Sequence, residues 1–216
     1  MKYGDIKPWK SLNWPNRISI LRLMMVAPFI ILILNEQTWG NLARYAALGI
    51  FVTMAFSDFI DGVLARRLNQ RTRLGAVLDP LADKVLIISS VVLLAQPQIA
   101  PVGMAIDNWV VVAVVAKDLW VIFGFIVVYL VTDRFRVRPV YAGKLATVGQ
   151  LAMVISVLIG PDLNKVNPSM GTILAKVMEY IVAAMSVAAA ISYTRLGLSF
   201  VHEGQKPIDE NHAKEL

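Results

Sequence analysis

The chain has 216 residues, of which 57% are apolar and only 17% charged, and it carries a formal net charge of +6. That composition excludes an ordinary soluble domain and fits a polytopic membrane protein with one membrane domain. Cysteine is absent, so disulfides and thiolate chemistry are excluded, and both histidines, His202 and His212, lie in the polar C-terminal stretch.

Within the membrane, proton transfer therefore falls to a carboxylate, Lys, Tyr or a metal-bound water. The basic excess does not argue for nucleic acid. The basic residues flank apolar stretches, where membrane topology and anionic head groups account for them.

Residues 1–16 are polar with aromatic punctuation (Tyr3, Trp9, Trp14) and read as a short N-terminal interfacial segment. A first span is expected over about 17–34. Asn16 and Arg22 stand at its start. A Pro-marked helix start with snorkelling arginines accounts for them as well as a site role does.

The second span is expected over about 44–66 and the third over about 74–96. Their adjoining ends hold Asp58-Phe-Ile-Asp61-Gly62-Val-Leu-Ala65-Arg66, then Gly75-Ala-Val-Leu-Asp79-Pro80-Leu-Ala-Asp83-Lys84. An ionised carboxylate at membrane depth costs about 2.5–3.5 kcal/mol on insertion scales, which makes an intramembrane acid a functional candidate. On a helix, Asp58, Asp61 and Ala65 fall on one stripe with Gly62 and Arg66 beside them; Gly75, Asp79 and Asp83 fall on another. The intervening segment is short, so the two helices are expected to be antiparallel neighbours with their four acids converging at one end. Carboxylates that close repel unless a cation lies between them, and hard oxygen ligands favour magnesium, manganese or calcium over zinc. The competing structural reading pairs the acids with Arg66, Arg67 and Lys84 as buried salt bridges. It leaves the small residues and the stripes unexplained.

The pattern D-x2-D-G-x2-A-R-x8-G-x3-D-x3-D is complete here, with eight specified positions in twenty-six residues. It resembles the signature of the CDP-alcohol phosphotransferase family. The resemblance implies an all-α membrane enzyme with six transmembrane helices that binds CDP-diacylglycerol with a divalent metal, Mg2+ or Mn2+, and releases CMP. It implies metal-site roles for Asp58, Asp61, Asp79 and Asp83, with Asp83 as general base. Asp58, Gly62, Ala65, Arg66, Gly75 and Asn16 are then the candidate CDP-binding residues. The stretch Pro15-Asn16…Leu21-Arg22 resembles the opening of the branch whose acceptor is glycerol 3-phosphate. A homodimer is also implied by the family.

A fourth span, about 109–131, carries Lys117-Asp118 in apolar surroundings. The pair reads either as an acceptor contact or as an internal ion pair fixing helix register. Next comes a basic mouth, with Arg134, Arg136, Arg138 and Lys144 within eleven residues. Gly143-Lys144-x-x-Thr147-x-x-Gln150 resembles a run shared by the glycerol 3-phosphate and cardiolipin-forming branches, both of which handle a phosphate-bearing acceptor. Lys84, Lys117, Arg138 and Lys144 are the candidate acceptor-binding residues, and the remaining basic groups set topology.

The fifth span is expected over about 141–159, a turn at Gly160–Asn164, and a sixth span over about 173–200. The membrane domain thus covers 17–200, and 201–216 form a polar tail. Lysine and arginine alternate along the chain: five in residues 1–22, four in 66–73, four in 134–144 and three from 195 onward. The other connections hold one, none and two. This places both termini and the acid-bearing connection on the cytoplasmic side, which fits the bacterial inner-membrane location that the resemblance implies.

The function expected is phosphatidyl transfer from CDP-diacylglycerol to an alcohol, with glycerol 3-phosphate favoured. The runner-up is transfer to phosphatidylglycerol, giving cardiolipin. A cation or proton transporter using the acid cluster is the alternative from another class, and the glycines beside the acids argue against it.

Overall fold

The computed structural model describes the backbone of residues 14–68, 75–132 and 141–204, and the side chains of 20–57, 84–124 and 141–198. These residues form an all-helical structure of seven helices with no strand among the described residues. They are α1 (Trp14–Leu34), α2 (Glu36–Trp39), α3 (Asn41–Leu68), α4 (Gly75–Leu94), α5 (Asn108–Thr132), α6 (Tyr141–Val166) and α7 (Met170–Gly204). Each expected span falls on one long helix; α2 is a single additional turn between the first two. The N-terminal residues before Trp14 and the tail after Gly204 lie outside the described residues.

Two helices among the described residues are long and apolar enough to cross a membrane, Tyr141–Val166 and Met170–Leu198. Two shorter apolar helical stretches, Ile20–Leu34 and Lys84–Leu94, accompany them. Large apolar side chains are exposed among the described residues, and several polar ones are buried. Leu119, Ile122, Phe123, Val148 and Ile173 face outward, while Ser90, Lys117, Asp118, Gln150 and Glu179 are buried. An exposed apolar belt of this kind needs a hydrophobic surrounding.

Helix α1 packs against both α3 and α4, α6 packs along α7, and α5 leans on α7. Phe29 of α1 and Phe51 of α3 meet with ring centroids 5.7 Å apart, and both are fully buried. Leu86, Ile87, Val91 and Leu94 of α4 join them, with Met153, Val154 and Val157 of α6 in the same core.

At the end of the bundle away from the aspartates, Arg44 of α3 is buried and ties to α6. Its guanidinium donates to Asp162 Oδ2 at 2.7 Å, and the Tyr45 hydroxyl donates to Asp162 Oδ1 at 2.8 Å. The beginning of α3 thus meets the end of α6. The two helices run antiparallel, and Tyr141 and Lys144 lie toward the same end as the aspartate segment. At the far end α5 is capped from α7: the Asp107 amide donates to Glu179 Oε2 at 3.0 Å, and Lys176 Nζ pairs with Asp107 Oδ1 at 2.8 Å. The hydrogen bond from Lys176 holds the Asp107 carboxyl below its usual 3.8 against partial desolvation.

One expectation is corrected. Gly160-Pro161 does not form a turn; α6 continues through Pro161 to Val166. The glycine serves packing instead: a Cβ added at Gly160 would lie 2.6 Å from the Met104 sulfur. Gly171 of α7 lies so close that a Cβ there would overlap the Gly160 carbonyl oxygen. The chain reverses later, at Ser169 with φ 72°. Asn164 closes that reversal. Its Oδ1 accepts from the amides of Gly171 (2.7 Å) and Thr172 (3.3 Å), and its Nδ2 donates to Thr172 Oγ1 at 3.0 Å. Two otherwise orphaned donors at the start of α7 are satisfied in this way.

Candidate active site

The signature occupies two helix ends. Residues 58–66 lie on the last turns of α3 and residues 75–83 on the first turns of α4. Because both segments are helical, the expected stripes exist as backbone registers: 58, 61 and 65 on α3, and 75, 79 and 83 on α4. The two ends are joined by the six residues 69–74, so they belong to the same end of the bundle. Among the described residues α3 and α4 touch only slightly, and α1 packs against both. The neighbouring relation thus runs largely through a third helix.

The side chains of Asp58, Asp61, Gly62, Ala65, Arg66, Gly75, Asp79 and Asp83 lie outside the described residues, as do those of Asn16 and Arg138. Among the described residues no three His, Cys, Asp or Glu side chains come together. The donor chemistry of the signature nonetheless fits a hard divalent cation: four aspartates, with cysteine absent and both histidines remote in sequence.

The side chains bordering this segment are well defined. Arg22 of α1 is buried, and its guanidinium donates to Ser57 Oγ at 3.5 Å, the residue immediately before Asp58. The first helix thereby reaches the start of the signature. Ser57 itself was not singled out from the sequence.

On the other side Lys84, the residue after Asp83, crosses to α5. Its Nζ donates to Asp118 Oδ1 at 2.6 Å, and Lys117 Nζ lies 2.9 Å from the same oxygen. Lys117 and Asp118 are 3% and 5% exposed, and Lys84 is 30% exposed. Asp118 Oδ2 is also buried and has no hydrogen-bond partner. The Lys117–Asp118 ion pair is therefore present, but it is part of a three-residue bridge between helices. The pairing of Lys84 with Asp118 joins residues thirty-four positions apart and has no local sequence signal.

Lys144 stands apart from that bridge. It is exposed on the first turn of α6, with Nζ 5.9 Å from the Tyr141 ring centroid. Gly143 beside it has a packing reason: an added Cβ would lie 2.5 Å from the Tyr193 hydroxyl of α7. The Thr147 hydroxyl donates to Gly143 O at 3.2 Å within the helix, and Gln150 is fully buried with neither amide atom hydrogen-bonded. The polar run thus splits, with Lys144 outward and Gln150 inward.

A complete two-helix aspartate signature, bordered by buried basic residues in an apolar-surfaced helical bundle, defines a membrane-associated family. The sequence model for CDP-alcohol phosphatidyltransferase matches residues 12–193, and the chain belongs to that family. Members of the family generally use a divalent metal. Among individual relatives, the chain is 30% identical over 156 residues to the CDP-diacylglycerol–glycerol-3-phosphate 3-phosphatidyltransferase of Bacillus subtilis, covering 68% of this chain and 77% of that one. It is 28% identical over 193 residues to the protein of the same name from Aquifex aeolicus, covering 88% and 98%. With the Escherichia coli protein of that name, identity is 40% over 84 residues, covering 39% and 44%.

Proposed function

We propose that this chain transfers a phosphatidyl group from CDP-diacylglycerol to glycerol 3-phosphate, with release of CMP. The observation that carries the proposal is the intact signature on the adjoining ends of α3 and α4 in a member of this family. The names of the Bacillus and Aquifex relatives support the acceptor. The reading includes six membrane spans on α1, α3, α4, α5, α6 and α7, a bacterial inner-membrane location, a cytoplasmic site and a homodimer.

In this reading Asp58, Asp61, Asp79 and Asp83 hold Mg2+ or Mn2+. Bound there, the metal would neutralise the donor diphosphate and stabilise charge on the departing CMP. The protein's own groups divide the remaining work. Gly62, Ala65 and Gly75 would leave room for the cytidine and diphosphate, with Arg66 and Asn16 as further donor-binding residues. Lys84, Lys117, Arg138 and Lys144 receive the acceptor phosphate. The acceptor hydroxyl oxygen attacks the phosphatidyl phosphorus, and the bond from that phosphorus to CMP breaks. The hydroxyl proton passes to the Asp83 carboxylate.

The test uses purified protein, labelled CDP-diacylglycerol, a panel of alcohols and mass identification of the lipid. Expected are CMP release with phosphatidylglycerophosphate from glycerol 3-phosphate, loss of both in EDTA, and recovery with magnesium or manganese. Cardiolipin formed from phosphatidylglycerol alone would replace the acceptor. Cation flux in liposomes without CMP release would reject the enzyme reading.

A further inference from the structure

We infer that Asp118 is a positioning residue for the transfer reaction, presenting Lys84 and Lys117 side by side to the acceptor phosphate. The inference rests on the functional reading above. Asp118 itself touches neither substrate.

Asp118 offers one oxygen, Oδ1, to two ammonium groups, at 2.6 Å from Lys84 and 2.9 Å from Lys117. One ammonium comes from α4 directly after Asp83, and the other from α5. Without a carboxylate between them, two ammonium groups this close repel strongly in an apolar interior. The two lysines have different freedom to respond. Lys117 is 3% exposed and held in place by packing, whereas Lys84 is 30% exposed and can swing outward. Neutralising Asp118 is therefore expected to release Lys84 toward solvent and leave the phosphate with one cation fewer.

The same contact fixes α4 against α5. Among the described residues these two helices share little other packing. A charge-assisted bond from the residue next to Asp83 thus sets how the end of the aspartate segment faces the acceptor side. The arrangement uses a buried carboxylate as the hub of two cations, so its value lies in placement more than in stability.

The test is steady-state kinetics on the full-length protein, with both substrates varied. Asp118→Asn is expected to raise KM for glycerol 3-phosphate about 10-fold or more, the scale of losing one charge-assisted hydrogen bond. KM for CDP-diacylglycerol is expected to stay within about threefold, and Asp118→Glu, which keeps the charge, to recover part of the loss. Lys84→Gln leaves the Lys117–Asp118 pair in place and gives the same readout should Asp118→Asn not accumulate. It is expected to raise the same KM. Combined with Asp118→Asn it costs little more than either change alone, because both break one contact. An acceptor KM that is unchanged or lowered in these variants, or donor and acceptor KM rising together without recovery in Asp118→Glu, overturns the inference. A wild-type protein inert toward glycerol 3-phosphate sinks the functional reading and the inference together. An active wild type with an insensitive acceptor KM in the variants sinks the inference alone.

Discussion

At Asp83 the substitution to Asn changes one oxygen to nitrogen and keeps the volume. The amide no longer takes a proton at physiological pH, while the rest of the signature remains. Turnover is expected to fall by about 10²–10⁴-fold with CDP-diacylglycerol binding largely retained. Binding of labelled donor, measured beside CMP release, checks this; near-normal turnover removes Asp83 as the base. The neighbouring described residues show how local the site's architecture is. Arg22 reaches Ser57, one position before Asp58, and Lys84 leaves the chain one position after Asp83 to reach α5. Fixed polar contacts thus bracket the signature at both ends.

For the helices, the α6–α7 pair offers the sharpest test. Gly171→Ala places a methyl group against the Gly160 carbonyl oxygen, and backbone on both sides leaves no flexible group to yield. A loss of about 1–3 kcal/mol is expected, the usual cost of overpacking. Gly124→Ala, with nothing within 4 Å of the new Cβ, serves as control and is expected to be neutral or slightly stabilising. Thermal unfolding in one detergent compares the two; equal midpoints would deny the close approach.

Legibility at this scale follows from what makes each helix. Six apolar runs became six long helices because hydrophobicity over about twenty residues is a local property. The aspartate stripes were legible as registers because helical period alone creates them. Gly160-Pro161 misled because glycine and proline usually mark turns, whereas here the glycine lies within α6 and answers to Met104, fifty-six positions earlier in the chain. The Lys117–Asp118 ion pair was one of two readings open from sequence. Its third member, Lys84, was not legible as a partner, since nothing near position 84 records what α5 places opposite it.

Among the described residues an apolar core coexists with an apolar exterior, and the connections carry unequal positive charge. The topology can be tested cleanly because the chain has no cysteine of its own. A single cysteine replacing Val102, an exposed position in the α4–α5 connection, is expected to react with an impermeant maleimide in intact cells. One replacing Gln70, between α3 and α4, is expected to react only after permeabilisation. Labelling of both from the same side would refute an odd number of crossings between them, and with it the six-span reading.

Helix α1 precedes the other described helices, yet it packs mainly on α3 and α4, and the second of these ends at Leu94. During synthesis α1 must therefore wait while the sixty residues after Leu34 follow. Only when α4 arrives does the wall shared by both aspartate-bearing helix ends close. The candidate site is in this sense a late product of biogenesis, closed only when α1 meets a helix that emerges well after it.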